Sequence, residues 1–417
     1  MLVLIRKARI EDTHSDFNGQ VLDILVEDGK IKTVSENITA KADSVIEGEN
    51  ICVSPGWVDI FADYREPGFE HKETIESGLK AAAAGGFTDV FTLPNTKPVV
   101  DTKSSVQYIL QKAKGHAVQL HPIGAVTQHI EGKNLAEMLD MRHNGAVAFS
   151  DGWKPIQNAG LMLKALEYAK SFNGIIIQLP VDTALAADGL MHEGPVSTRL
   201  GMAGIPALAE TIMVHRDIEL LRYTSSRLHI TGVSTVAALN MIRNAKKEGL
   251  DITCSVTPYH LMLNDELLET YNSIYKVTPP LRPEADRQAM VAGLNDGTID
   301  CITSHHRPQE WDAKAKEFEY ASDGLAIQEI VYSMLAGAGI KTDVLVKALS
   351  YNPRRIFGLQ NVKIAEGSTA SLTIFQPDAK RTLSHTKSIA DNILYRGKEL
   401  KGNVLGIVSN SIFEINK

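Results

Sequence analysis

The chain has 417 residues, of which 43 are basic and 50 are acidic, and its formal net charge is −7. This acidic balance argues against nucleic-acid binding, which would require a basic surface. No apolar run reaches the length of about 18 residues that a membrane span needs, and the first residues lack a signal peptide's apolar stretch. Three widely separated cysteines suggest neither a disulfide framework nor a zinc knuckle. We therefore expect a reduced, cytoplasmic protein.

Both ends of the chain show strand patterns. Residues 21–26 and 31–34 are apolar runs that flank Asp28-Gly29, a dipeptide typical of hairpin turns. The tail beyond Ile364 returns to strand-like runs, beginning at residues 372–375. Because these segments flank a long central region, we predict one small composite β domain built from both termini.

In the central region, short β-like runs alternate with helical patterns. This alternation implies right-handed crossovers and a parallel sheet, and eight such units over about 250 residues are typical of a (β/α)8 barrel. A doubly wound open sheet would need a glycine-rich phosphate loop after its first strand, and residues 62–68 lack one. The sequence therefore predicts an α/β fold with a TIM-type barrel over residues 55–365, and a β domain from residues 1–54 and 366–417. The predicted barrel strands are 58–61, 89–93, 119–124, 146–149, 174–179, 227–230, 252–256 and 300–303, and the clearest helices are 74–84, 104–114, 161–171, 207–223, 235–247 and 284–294.

Polar residues follow several predicted strands at the end where barrels carry their catalytic groups. A hydrolytic zinc site needs several His, Asp or Glu donors that converge on one point, and Asp63, Asp151 and His305 or His306 are the available candidates. Neighbouring residues of a strand point to opposite faces, so we do not expect both histidines to bind one ion. The alternatives are a hydrogen-bonded histidine pair at a strand end, and an Asp63 that is solvated or paired with Arg65.

The sequence motifs resemble those of class I dihydroorotases, a family of the amidohydrolase superfamily. The resemblance covers nearly the whole chain, and it implies a metal-bearing barrel, a composite β domain and a place in pyrimidine biosynthesis. The matching segments are 54–60, 65–78, 83–88, 94–98, 191–194, 200–206, 275–282, 297–302, 352–354 and 384–387.

The chain departs from this family at the positions that carry the chemistry. Phe61 and Asp63 stand where the family has its two zinc-binding histidines, and one acid is missing before Asp151. Gln178 and Gly232 replace two further histidines, and His305 replaces the catalytic aspartate. We therefore expect that the family zinc and general base are lost and that no cofactor is bound. Without the metal, the pKa of an attacking water stays far above the value of about 7 that a bound zinc ion gives it.

Some of the residues that bind substrate in the family are retained in this chain. Arg65 and Asn95 match the family residues that hold the substrate carboxylate, whereas Thr278 and Gln309 replace two other contact residues. We expect a weak carboxylate pocket. The alternative is structural: Arg65 would pair with Asp63 or Glu66, and Asn95 would cap the turn before Pro98.

Two functions remain in competition. The first is a non-catalytic dihydroorotase homologue with a structural or regulatory role, for which the resemblance implies aspartate transcarbamoylase as a partner and for which we expect a homo-oligomer. The second is an active cyclic amidohydrolase with a rebuilt site, in which Asp63, Asp151, His305 and His306 bind another ion or Asp151 and His305 form a metal-free acid–base pair. A carboxylate sensor that uses Arg65 and Asn95 is compatible with the first function.

Overall fold

The computed structural model describes residues 1–416, and its centre is a barrel of eight parallel strands. Neighbouring strands follow one another in chain order and pair in parallel, as helical crossovers require. The predicted α/β barrel is therefore confirmed, and the third and seventh strands have the predicted bounds. The strands are Trp57–Ala62, Phe87–Thr92, Gln119–Gly124, Ala148–Phe149, Ile176–Gln178, Leu228–Ile230, Ile252–Val256 and Cys301–Ile302.

Helices cover the outside of the barrel, and all six predicted helices are present within two residues of the expected ends. Thr74 caps the first of them by accepting a hydrogen bond from the backbone N–H of Ser77. The α-helices are Ile75–Ala84, Lys103–Lys112, Met138–His143, Ala159–Lys170, Pro195–Leu200, Leu208–Thr224, Val236–Lys247, Pro258–Met262, Glu284–Asn295, Trp311–Lys314, Val331–Leu335, Thr342–Val346 and Asn352–Phe357. Within residues 1–416, no helix is both long and apolar enough to cross a membrane.

A second sheet contains strands from both ends of the chain. The edge hairpin turns at Asp28-Gly29, where positive φ angles of 47° and 77° match the expected two-residue turn. Strand Cys52–Pro55 pairs with Leu372–Thr382 and so joins the two termini. The predicted composite β architecture is confirmed, whereas the boundaries at residues 54 and 365 stay predictions. The strands are Leu2–Ile10, Val21–Glu27, Lys30–Ser35, Ser44–Ile46, Cys52–Pro55, Leu372–Thr382, Glu399–Ser409 and Ile412–Ile415.

The buried carboxylate of Asp59 joins the first and eighth barrel strands. It accepts hydrogen bonds from the Thr303 hydroxyl at 2.7 Å and from the backbone N–H of Ser304 at 2.9 Å. At the carboxyl end, the backbone N–H of Asp63 donates to the carbonyl oxygen of His306 at 2.9 Å. These contacts hold the end of the first strand against the end of the eighth.

A buried ion pair fixes the second barrel strand to the helix that follows the barrel. Arg354 contacts Asp89 at 2.5 Å, and the His121 ring nitrogen Nε2 lies 2.9 Å from the same carboxylate. Burial opposes the ionisation of Asp89, but Arg354 and His121 outweigh it and hold the pKa of Asp89 at about 2. Asp89 is therefore a buried, charged group that depends on Arg354.

Removing Arg354 should destabilise the fold strongly. We expect Arg354→Ala to lower the free energy of unfolding by about 3–5 kcal/mol, because it leaves the Asp89 charge buried without its main partner. Urea denaturation followed by circular dichroism measures the loss. Lys80→Ala, which removes the exposed Lys80–Glu76 pair, is the control and should change little. A loss no larger than that of the control would contradict the assigned role.

Candidate functional site

The candidate site lies at the carboxyl end of the barrel, where residues from several strand ends meet. Trp153, after the fourth strand, donates from Nε1 to Asp63 of the first at 2.8 Å. Asn95, after the second strand, donates to the carbonyl oxygen of Asp151 at 3.1 Å. The structure therefore brings together polar residues that follow separate strands in the sequence, and among them is Trp153, which the sequence analysis did not single out.

Three aromatic rings fill the centre of this site, and we call Phe61, Trp153 and His305 the aromatic cluster. The ring centroid of Phe61 lies 4.6 Å from that of His305 and 5.2 Å from that of Trp153. Trp153 and His305 are 5.4 Å apart, and Phe61 is fully buried. The position at which the resemblance implies a zinc-binding histidine thus holds a hydrophobic ring, which packs on the residue at the implied general-base position.

Asp63 is fully buried, and both of its carboxylate oxygens have donors. Besides the Trp153 bond, Oδ2 contacts the Arg65 guanidinium at 3.1 Å, and Oδ1 accepts from the backbone N–H of Arg65 at 3.2 Å. Of the two alternatives considered for this carboxylate, the structure shows the pairing with Arg65. Asp63 therefore holds the loop after the first strand together.

The carboxylate of Asp151 is also hydrogen-bonded to neighbouring residues of the protein. Its Oδ1 accepts from the backbone N–H groups of Val126 and Thr127 at 2.9 and 3.0 Å, and its Oδ2 accepts from the Thr127 hydroxyl. Burial raises the pKa of Asp151 to about 6, although these hydrogen bonds oppose the shift. The carboxylate ties the ends of the third and fourth strands together.

His305 and His306 face different surroundings. His305 Nε2 lies 2.8 Å from the Thr231 hydroxyl, while its Nδ1 is buried and has no hydrogen-bond partner among residues 1–416. His306 Nε2 instead lies 3.3 Å from the Glu73 carboxylate. Burial lowers the pKa of His305 well below its usual range, so its imidazole is neutral. The two rings have separate partners, in keeping with the expectation that they do not share one ion.

A chain of hydroxyl groups connects His305 to the barrel interior. The Thr231 hydroxyl lies 2.9 Å from that of Ser255, which in turn lies 3.0 Å from Nε2 of His229. Burial lowers the pKa of His229 to about 3. In the sequence, His229 stood out only as part of a motif. Because side chains two residues apart along a strand point to the same face, the spacing of His229 and Thr231 was the signal that both point inward.

Gln178 and Gly232 stand at the two other positions where the resemblance implies histidines. Gln178 exchanges hydrogen bonds with the backbone of Ile156, at 3.2 and 3.4 Å. Gly232 has a φ of +70°, and a Cβ atom built there would lie 2.7 Å from Cε1 of His305. Gly232 and His305 therefore compete for one volume, so the His305 ring fills space that a side chain at 232 would need.

Arg65 and Asn95, the two predicted carboxylate-binding residues, contact the protein itself. Arg65 pairs with Asp63, but its Nε is buried without a partner among residues 1–416. Asn95 bonds to the loop after the fourth strand through Asp151 and through the backbone N–H of Trp153 at 3.3 Å, rather than capping the turn before Pro98. The guanidinium of Arg65 thus keeps unused donor capacity, whereas the amide of Asn95 is engaged.

Arg307 is a site residue that the sequence reasoning missed. Its guanidinium carbon lies 4.5 Å from the centre of a Trp153 ring, and its Nε is also buried without a hydrogen-bond partner among residues 1–416. Burial lowers its pKa, and the nearby Arg65 charge acts in the same direction. The sequence signal that could have indicated Arg307 is its position as a basic residue directly after the His305-His306 pair. Two arginines with unused donors therefore flank the aromatic cluster.

Thr278 and Gln309, which replace two family contact residues, both bind Asp323. The Thr278 hydroxyl donates to its carboxylate at 2.7 Å, and the Gln309 amide donates to its carbonyl oxygen at 2.8 Å. These residues secure the loop above the barrel.

The residues at this site do not fit the zinc ion of the amidohydrolase fold. A zinc site needs converging carboxylate, imidazole or thiolate donors. Here Asp63 and Asp151 are saturated by other donors, and the Phe61 ring occupies a ligand position. Within the described chain, no group of three His, Cys, Asp or Glu side chains is arranged to hold a metal ion.

Comparisons with known proteins place the chain in a family. A model of the dihydro-orotase-like family matches residues 51–238. A dihydroorotase of Syntrophus aciditrophicus is 40% identical over 97% of each chain, and one of Pelotomaculum thermopropionicum is 41% identical over 91% of each chain. This chain belongs to the dihydroorotase-like family. An L-hydantoinase (dihydropyrimidinase) from Arthrobacter aurescens shares the fold with a TM-score of 0.86, at 21% identity, over 100% of this chain and 97% of that one.

The competition between Gly232 and His305 predicts a coupled effect on stability. We expect Gly232→Ala to cost about 1–3 kcal/mol, because alanine disfavours a positive φ and its Cβ meets the His305 ring. In a His305→Ala background the cost should fall, since only the backbone penalty remains. A double-mutant cycle by chemical denaturation measures this coupling. An equal cost in both backgrounds would show that the two residues do not share this volume.

Proposed function

We propose that this member of the dihydroorotase-like family is a non-catalytic homologue that binds a carboxylate ligand at its barrel mouth and acts in a structural or regulatory role. The observation that carries the proposal is the packing of the Phe61 ring on His305, with centroids 4.6 Å apart. This contact places a hydrophobic ring at the position where the resemblance to class I dihydroorotases implies a zinc-binding histidine. A phenyl ring offers no ligand atom to zinc.

The remaining acidic groups do not replace the missing chemistry. To bind an ion, Asp63 would have to give up Trp153 and Arg65, and Asp151 would have to leave two backbone N–H groups unpaired. Leaving one buried donor unsatisfied costs about 1–3 kcal/mol. A metal-free acid–base pair of Asp151 and His305 has no support in the contacts either, since each residue bonds to a different threonine.

The mouth is better suited to holding an anion than to activating water. Arg65 and Arg307 flank Trp153, and each keeps a buried Nε–H without a partner within residues 1–416. Guanidinium groups are well matched to carboxylates, and unpaired buried donors favour a ligand that accepts from them. Dihydroorotate and carbamoyl-aspartate both carry carboxylates and are the expected ligands.

A second candidate function is dihydroorotase activity from a rebuilt site. The comparisons favour this candidate, because relatives named dihydroorotase match nearly the full length at about 40% identity. In that case Asp63, Asp151, His305 and His306 would have to rearrange around an ion. Aspartate transcarbamoylase as a partner, a homo-oligomeric state and the absence of a cofactor stay predictions that belong to the non-catalytic function.

An assay of dihydroorotase activity distinguishes the two candidate functions. We expect no dihydroorotate hydrolysis or carbamoyl-aspartate cyclisation above background, with or without added zinc, and no stoichiometric zinc by elemental analysis. The Syntrophus aciditrophicus dihydroorotase, assayed in parallel, is the positive control. Zinc-stimulated turnover that disappears in Asp151→Ala would overturn the non-catalytic proposal and establish the rebuilt site.

Ligand binding tests the carboxylate pocket separately from catalysis. We expect dihydroorotate or carbamoyl-aspartate to bind with a Kd in the high-micromolar to millimolar range, roughly −4 to −6 kcal/mol. Arg307→Gln and Arg65→Gln should each weaken binding about tenfold in calorimetry, because each removes a guanidinium donor. Lys154→Gln, on the exposed lysine after Trp153, serves as the control for a lost charge. Equal affinities for wild type and both arginine variants would rule out this pocket.

A further inference from the structure

A cavity with three basic side chains in its lining lies away from the barrel mouth, and nothing in the proposed function uses it. Its volume is about 1000 Å³, and it lies between the helical segment 342–357 and two segments that border the composite sheet, residues 13–14 and 360–369. An adjoining cavity of about 210 Å³ is lined by Asp300, which directly precedes the eighth barrel strand. The two cavities therefore lie toward the amino-terminal end of the strands, opposite His305.

The positive charge of the larger cavity is not neutralised by the protein. Lys347, Arg355 and Lys363 line it, and Asp343 is the one carboxylate among its lining residues. Within residues 1–416, none of the three cations lies in an ion pair, and the nearby Asp300 is taken by Lys246 at 2.5 Å. In a chain with a net charge of −7, such a concave positive surface attracts anions by focusing the field.

The helical geometry presents these charges together. Thr342–Val346 continues through a π-helical turn at Lys347–Tyr351 into Asn352–Phe357. Lys347, Tyr351 and Arg355 are spaced four residues apart, and all three line the cavity. A π turn has a wider repeat than an α-helix and often occurs at functional sites. It keeps these side chains on one face.

An aromatic surface lies beside the cations. The rings of His14 and Tyr351 have centroids 4.1 Å apart at an angle of 46°. The Asp12 carboxylate fixes both residues, because it accepts from the Tyr351 hydroxyl and from the backbone N–H of His14. The exposed His14 ring thus packs against a tyrosine whose hydroxyl is fixed, and aromatic rings of this kind stack on nucleobases with little dependence on the base.

We propose that this cavity binds a nucleoside phosphate. The phosphates would contact Lys347, Arg355 and Lys363, since lysine and arginine are the common phosphate-binding side chains. The base would lie against His14. The volume of about 1000 Å³ is large enough for such a ligand, because small-molecule sites span about 300–1,000 Å³. The site is independent of the barrel mouth and of its proposed carboxylate ligand.

Calorimetric titration with ATP, UTP and tripolyphosphate at low salt tests the proposal on the full chain. We expect ATP or UTP to bind with a Kd below about 0.5 mM. Lys347→Ala/Arg355→Ala should raise that Kd at least tenfold, whereas the control Lys164→Ala/Lys247→Ala, which removes two exposed charges from other helices, should change it less than twofold. Arg307→Gln at the barrel mouth should leave nucleotide binding unchanged.

His14→Ala tests the aromatic contact, and His14 is exposed, so we expect the variant to fold. It should weaken ATP or UTP binding several-fold and leave tripolyphosphate binding unchanged. The proposal is overturned if wild type binds neither nucleotide, or if the control double variant loses as much affinity as Lys347→Ala/Arg355→Ala. Tripolyphosphate binding as tight as that of the nucleotides, together with no effect of His14→Ala, would also overturn it, because the base would then contribute nothing.

Discussion

The closure of the barrel at Asp59 sets the geometry of the whole mouth. Its carboxylate binds Thr303 and Ser304 of the segment that follows the eighth strand, and so holds that segment against the first strand. Phe61 lies two residues farther along the first strand, and its ring packs on that of His305. His305 directly follows Ser304. The contact between Phe61 and His305 is therefore a consequence of how the first and last strands join.

The aromatic cluster changes what the surrounding polar groups can do. Here Trp153 packs against the Phe61 ring and donates to Asp63, and Arg307 lies over the same indole. Hydrophobic packing, a hydrogen bond and a cation–π contact thus hold the mouth of the barrel together.

The sequence predicted the architecture well, because hydrophobic periodicity and the alternation of strands with helices are local signals. The barrel, the helices and the turn at Asp28-Gly29 followed from them, and the ends of short strands such as Ala148–Phe149 were the main errors. The contacts between residues of the site were harder to predict from the sequence. The pairing of Asp63 with Arg65 remained one of two alternatives, and Arg307 and Trp153 were overlooked, since their roles depend on loops that only the folded chain brings together.

Anomalous diffraction at the zinc absorption edge, from crystals grown with excess zinc, tests most directly whether the barrel mouth has lost its metal site. The account predicts no zinc peak within coordination distance of Asp63, Asp151 or His305, and a Phe61 ring that remains packed on His305. A zinc peak bound by these residues, with the Phe61 ring displaced, would contradict it.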